Sequence, residues 1–456
     1  MVERITSARA YVRIVLSDGQ EINIKSNLVG EQKDTNYITK VEVDRSLSAS
    51  SNNPIGVPCS AVGSLTVHST DLSLMPENLN SPYSGLLNNQ AVVYMTLEDA
   101  EGQLAFGTYY VDDWYSSISS DTMTEVNIDF SGIMSYINKS PAPSINIEKD
   151  VDFKEYLVGI IEKWNESVDE KYRLTIDENK LTFGPFGIMP YSDIDASTYG
   201  EVLTVLSQST LTNIYISNNN EVLTDYYFDD KGSESACNIT DCTNAYQYNV
   251  GEGLLVKYKG VKVNYSNIIV NDSASIVKLQ SQTVLANSET SIQNIDLGSK
   301  LFKLNYIQVD CNKEDTDIEI VSIEYSKKYL SLVLKNNSAE DVSVNINVFG
   351  QTINNNNLAI NKGSEPMLEV TNNILSKSNC ETFADKLYSI MTGNNNQLKL
   401  TGFFNPRINL GDVVYVDLKA INKTGYYKVH AIKTIIDSTI KTTLTLYSLQ
   451  DTTASK

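Results

Sequence analysis

Histidine is nearly absent from this chain. Two are present in 456 residues, His68 and His430, far apart in sequence. Chemistry that needs several imidazoles, as proton relays or metal ligands, is therefore almost excluded; each His reads as structural. Cations are also scarce: 36 Lys and Arg stand against 56 Asp and Glu, a formal charge of −20. A basic groove for nucleic acid needs clustered Lys and Arg, so sequence-specific nucleic-acid binding is not expected. A polybasic membrane anchor is disfavoured for the same reason. No stretch approaches the roughly 18 apolar residues of a membrane span, and Met1–Thr6 lacks the basic and apolar regions of a secretory signal. The five cysteines, Cys59, Cys237, Cys242, Cys311 and Cys380, are odd in number and scattered. They read as reduced thiols of a protein made in a cytoplasm rather than a disulfide framework. Cys237 and Cys242 lack the second pair that a zinc site would want.

Catalytic signatures are missing too. There is no nucleophile elbow, zinc-protease helix or phosphate-binding loop. Gly251-Glu-Gly253 begins like a dinucleotide fingerprint but lacks the third small residue and the following helix, and reads as a turn. Asp310 to Asp317 spaces oxygens as a calcium loop does, but has Asp315 and Val321 where Gly and a bidentate Glu are needed. Asp112-Asp113 and Asp229-Asp230 are adjacent acids of the kind that 56 carboxylates produce freely. No catalytic, cofactor-binding or metal-binding residue is assigned, no cofactor is expected, and the chain reads as a non-enzyme.

What is present is β-pattern. A length of 456 residues suggests about three domains, and a 41% hydrophobic fraction suits folded cores. Alternating runs flank Asp18-Gly19, a hairpin signal. Further strands are expected at Ser64–His68, Ala91–Leu97, Leu104–Val111 and Glu125–Phe130, with loops at Ser46–Pro58 and Asp71–Gly85 and no helix in this region. Pro141-Ala-Pro143 marks a boundary. Beyond it Phe153, Leu157, Ile160, Ile161 and Trp164 share a helical face behind an Asp152/Glu155 cap. Strands Arg173–Ile176 and Lys180–Phe183 follow, and the plan repeats with a helix after Thr198 and strands Asn213–Ser217 and Glu221–Leu223. Strands return from residue 254 in a sandwich-like series that includes Val342–Phe349, with a polar loop at Asn354–Asn357. A helix capped by Ser378 and Glu381 precedes the last strands.

Tyrosine is abundant, 27 against 11 Phe and 2 Trp. Its apolar ring and wet hydroxyl suit interfaces. In Tyr109-Tyr110, Tyr226-Tyr227 and Tyr426-Tyr427, alternation assigns one ring to a core and one to the outside.

Three stretches carry a resemblance. Gly402-Phe-Phe-Asn405-Pro406-Arg407-Ile408-Asn-Leu-Gly411-Asp412-Val413-Val414-Tyr415-Val416, behind the Phe383–Met391 helix, is similar to the last domain of phage tail baseplate hub (tail-tip hub) proteins. Gly107-Thr-Tyr-Tyr-Val-Asp-Asp-Trp114 resembles a strand near the end of that family's first tube-like domain. The stretch Thr198 to Ser217 resembles its α/β domain. The resemblance implies a mainly β, multidomain chain with two tube-like β-barrel domains, a small α/β domain and an inserted β-sandwich. The boundaries expected are 1–140 for the first tube-like domain and 141–235 for the α/β domain. The second tube-like domain would be 236–265 with 367–456, interrupted by the sandwich at 266–366.

It further implies a structural hub of a virion, in a phage tail or a contractile injection particle. The hub would form a homotrimeric ring that joins the tail tube to the spike or tip and passes DNA during genome ejection. Partners would be further copies of itself and the tube, distal-tail and spike or tip proteins. Because the sequence ends soon after its last strand, any lytic module or spike is expected on a separate protein. Acidity fits a conduit that repels a polyanion. The alternatives are a β-rich receptor- or carbohydrate-binding tail protein and, behind it, a polysaccharide hydrolase.

Overall fold

A computed structural model describes residues 8–27, 30–47, 56, 60–99, 101–120, 123–143, 145–228, 236–240, 245–252, 258–313, 317–392, 396–437 and 439–449. The first region holds β1 (Arg9–Val15), β2 (Glu21–Lys25), β3 (Asn36–Ser46), β4 (Val62–Ser69), β5 (Val92–Asp99), β6 (Gly102–Ser120) and β7 (Met123–Ser131). Gly19 supplies the left-handed turn (φ 87°) that the β1–β2 hairpin needs. These strands run in the order β3-β4-β7-β6-β5-β1-β2, and a bridge from Ser26 to Ile38 brings the two ends together around Val41, Val43, Leu65, Phe106 and Phe130. One short helix, α1 (Met134–Ile137), departs from the all-strand expectation for this region.

The middle of the chain contributes β8 (Lys149–Asp152), α2 (Phe153–Ser167), β9 (Thr175–Ile176), β10 (Ile188–Tyr191), α3 (Tyr199–Thr210), β11 (Thr212–Ile216) and β12 (Glu221–Tyr226). Asp152 caps α2 by accepting from the Lys154 and Glu155 amides, and Thr198 caps α3 by accepting from Glu201 N at 3.1 Å. The expected strand at Lys180–Phe183 does not form. Asp177 instead accepts from Asn179 N and starts a 3₁₀ turn, while Leu181 and Phe183 are buried without a ladder. The two units are thus not copies, and β9 joins the other unit's sheet by pairing in parallel with β12.

Next come β13 (Cys237–Thr240), β14 (Ala245–Glu252), β15 (Gly260–Val284), β16 (Ser288–Asp296), β17 (Lys300–Cys311), β18 (Ile318–Tyr325), β19 (Tyr329–Asn336), β20 (Val342–Gly363) and β21 (Met367–Asn372). The chain closes with α4 (Lys377–Thr392), β22 (Asn396–Gly402), β23 (Val413–Leu418), β24 (Lys423–Ile436) and β25 (Ile440–Ser448). Gly251 and Glu252, expected in a turn, lie in β14 opposite Gln397 and Asn396. β15 and β20 form one long antiparallel ribbon. The ribbon lies in the sheet β17-β20-β15-β21, and its far half shares a core of Val284, Leu301, Leu332, Val344 and Ile346 with a second sheet, β16-β19-β18.

Asn354–Asn357, expected as a loop, pairs with Ile269 back to Ser266 inside that ribbon. Asn355 to Asn357 are exposed, so polarity costs nothing, and the ladder on either side carries the pairing through. The α4 cap also differs: Ser376 Oγ, not Ser378, accepts from Asn379 N at 3.3 Å. Phe383, Leu387 and Ile390 of α4 join Leu157, Trp164, Leu206, Val261 and Val263 in one central core.

Candidate assembly surface

Among the described residues, β24 is the strand that joins the first and last regions. Ala431–Ile436 pairs with Ser46–Val41 of β3, so both regions lie on one continuous sheet. Each side keeps its own core, the later one formed by Ile239, Leu400, Phe404, Val416 and Leu446. The strand path ends at β2, which the Ser26–Ile38 bridge closes against β3, and at β14, which carries no second ladder among the described residues. Such an unpaired edge is a template for pairing with another chain.

Beside the β2 edge a groove of about 600 Å³ runs over the outward residues of β1, β2 and β5. It is lined by Tyr11, Arg13, Asn23, Lys25 and Tyr94. The Arg13 guanidinium sits 4.4 Å from the Tyr94 ring centre and 2.7 Å from Glu21, while Tyr11 donates to Glu98 at 2.7 Å. Aromatic rings with arginine and small polar groups are the composition that protein interfaces favour.

The Asn405–Asp412 turn links β22 to β23. Gly411 takes φ 80°, Asn405 Oδ1 accepts from Arg407 N at 2.9 Å, and Asp412 Oδ2 accepts from Asn409 N at 2.7 Å. Arg407 reaches the β5–β6 turn, where it pairs with buried Asp99, lies 3.4 Å from Glu101 and donates to Gly102 O at 3.2 Å. From the other side, Tyr215 of β11 donates to Leu410 O at 3.2 Å, and Lys428 of β24 meets Asp225 of β12 at 2.9 Å. The turn therefore ties three parts of the chain together, which its sequence pattern did not reveal.

The tyrosine pairs are used differently from the simple alternation. Tyr109 and Tyr110 do face opposite ways, but both are buried. Tyr109 enters the first core, and Tyr110 stacks on Tyr172 at 4.9 Å and donates to Lys171 O at 2.6 Å. The α/β region covers the face that alternation assigned to the outside. Tyr226 is buried and Tyr227 half-buried; only Tyr426 and Tyr427 split as expected, 36% and 5% exposed. Part of the tyrosine excess thus fills internal seams.

His68 packs against Tyr37 at 5.1 Å, and burial beside Tyr447 lowers the His430 pKa to about 4. Asp112 accepts from Ser131 at 3.0 Å and Asp113 from the Trp114 amide at 2.9 Å. Asp310 accepts from Gln308 and Asp317 from Asn337, whereas Glu314–Thr316 lie outside the described residues, as do Cys59, Cys242, Gly253 and Asp229-Asp230. Among the described residues no cluster of His, Cys, Asp or Glu is placed to hold a metal, and no helix is long and apolar enough to cross a membrane.

No protein-family model matches the sequence, and no curated protein matches it. Solved structures do match by shape. The tail protein from Neisseria meningitidis MC58 superposes with a TM-score of 0.51 at 9% identity, covering 96% of each chain. The 43 kDa tail protein of prophage MuSo2 from Shewanella oneidensis gives 0.51 at 9% identity, over 96% of this chain and 98% of that one. The chain has the fold of these two tail proteins, mainly β and in several sheets.

Proposed function

We propose that this chain, folded like those tail proteins, is a non-enzymatic structural component of a phage tail or a related particle. Within it the chain acts as the hub of the baseplate or tail tip, in the virion. The observation that carries the reading is the continuous sheet: two β-regions with separate cores, joined through β24 and β3, with β14 as an edge that has no second ladder among the described residues. Three copies around one axis would present six tube-like units, a match for a six-fold tube and a passage for DNA. In this reading residues 1–140 form one unit, and 236–265 with 367–456 the other. Residues 141–235 brace them, and 266–366 is an inserted sandwich. Tube, distal-tail and spike or tip proteins are the partners. Mass photometry tests it: a species near 152 kDa, three times the 50.6 kDa chain, with a pseudo-six-fold ring in negative stain, is expected. A strict monomer that also fails to bind tube or spike protein would overturn it.

One observation favours a second reading, receptor or carbohydrate binding. On the outer face of the inserted sandwich, half-exposed Tyr306 stacks on Phe349 at 4.5 Å, beside Gln308, Asn347 and Asp310. An exposed ring flanked by amides and a carboxylate suits a sugar face and its hydroxyls. Glycan binding lost on Tyr306→Ala would support it.

A further inference from the structure

Along β3 Val41 and Val43 point into the first core, and position 45 continues that row with an arginine. Arginine is almost never fully buried without a partner of opposite charge. Here Arg45 is 8% exposed, and burial pushes its guanidinium below the ordinary value. Its Nη1 donates to Asn218 Oδ1 at 2.5 Å, the group lies 5.1 Å from the Phe106 ring centre, and Nε has no hydrogen-bond partner. No carboxylate pairs with it among the described residues.

The same side chain lines a cavity of about 40 Å³ where β3, β6 and the β11–β12 turn meet. Thr108, Tyr109, Ser217, Asn218 and Asn220 share the lining, which contains no acid among the described residues. One water needs roughly 10–15 Å³ of such space, so the cavity has room for a small polyatomic ion. The Asn218 and Asn220 amides and the Tyr109 hydroxyl already donate to Ala105 O, Tyr110 Oη and Phe106 O, so the lining offers the Arg45 cation together with the Thr108 and Ser217 hydroxyls, a set that can hold an anion. An unpaired buried cation is costly, and a counter-ion at that point would remove the cost.

We propose that this cavity binds one small inorganic oxyanion, with Arg45 as its counter-ion. The bound anion would lock the Ser217–Asn220 turn of the α/β region against β3 and β6 of the first region. The proposal concerns a single chain and does not depend on ring assembly.

The test uses the full chain, exchanged into phosphate-free buffer and titrated with inorganic phosphate at constant ionic strength. Calorimetry should show one phosphate per chain. The melting temperature should climb with the logarithm of phosphate concentration, as linkage requires. Arg45→Met should abolish both responses and, without phosphate, melt no lower than the wild type, because an apolar side chain of similar length replaces an unpaired cation. Equal phosphate shifts in wild type and Arg45→Met would overturn the site. So would a wild type that gives neither heat nor a shift, which would mean that water or an acidic group of another protein serves the guanidinium. If Arg45→Met fails to fold, the wild-type titration alone decides.

Discussion

The α/β region is fastened to its neighbours at two charged seams built in opposite ways. Against the last region, Lys428 and Asp225 form an ion pair at 2.9 Å, their side chains 7% and 0% exposed, and the ammonium also donates to Tyr226 O at 3.1 Å. Against the inserted sandwich, Lys300 and Lys327 share Asp193 and Asp195 at 2.7–3.9 Å. There the lysines are about one-fifth exposed and Asp195 is 55% exposed, so although Asp193 is only 2% exposed, water reaches the network through its other members. A dry pair is hard to replace when one member goes, since water cannot reach the survivor. A wet network can re-pair. The first seam therefore behaves as a fixed joint, and the second as one that solvent conditions can loosen.

Cutting the dry pair is the most damaging way to test that contrast. Asp225→Ala should cost about 3–5 kcal/mol in chemical denaturation, because it leaves Lys428 buried and unpaired. Adding Lys428→Met should recover much of the loss; a double mutant as weak as the single would show that the pair itself is not the fastening. Next in size is Gly411→Val, which places a β-branched residue at φ 80° with its Cβ 3.4 Å from Asp225. A loss of roughly 2–3 kcal/mol is expected, and unchanged stability would refute the turn's role in the joint.

Asp193→Ala, at the wet seam, should cost only about 1–2 kcal/mol, since Asp195 and water can take over the lysines. A cost equal to that of Asp225→Ala would erase the distinction. The smallest change is Tyr215→Phe, which removes the hydrogen bond to Leu410 O at 3.2 Å for about 1 kcal/mol.

Acid sharpens the comparison without mutation. Partial burial raises the Asp195 pKa, but hydrogen bonds from Lys300 and Lys327 outweigh it and hold the carboxyl at about 2. A carboxylate depressed on folding contributes stability above its unfolded value of about 3.9, and that contribution is lost as pH falls through the folded value. Amide protection at the start of β17, relative to the intrinsic exchange rate at each pH, should therefore fall between about pH 4 and pH 2. Lys300 works in the other direction. Burial lowers its pKa, Asp193 and Asp195 raise it further, and the net rise means its contribution is lost in strong alkali.

Local features were legible from the sequence wherever a few neighbouring residues carry the cause. The Asp18-Gly19 hairpin and the apolar faces of α2 and α3 with their Asp152 and Thr198 caps all depend on short stretches. The cap at Ser376 rather than Ser378 shows the limit, for two hydroxyls two residues apart look alike until the helix chooses its start. Asn354–Asn357 was misjudged because composition cannot register a long partner strand. Of the candidate surface, the Asn405–Asp412 turn was visible as a motif, while the edge strands and the groove beside β2 were not.

The sequence by itself determined which segments alternate, which wind into helices, and that several imidazoles or a broad basic surface could not be assembled. Those properties follow from side-chain period and composition, which need no partner. Only the tertiary structure decided that β24 lies beside β3, that Tyr110 is covered, that Arg407 finds Asp99 and that Arg45 is buried with its Nε unsatisfied. Each of these joins residues distant along the chain, and their energies depend on burial and distance, which exist only once the chain has closed on itself.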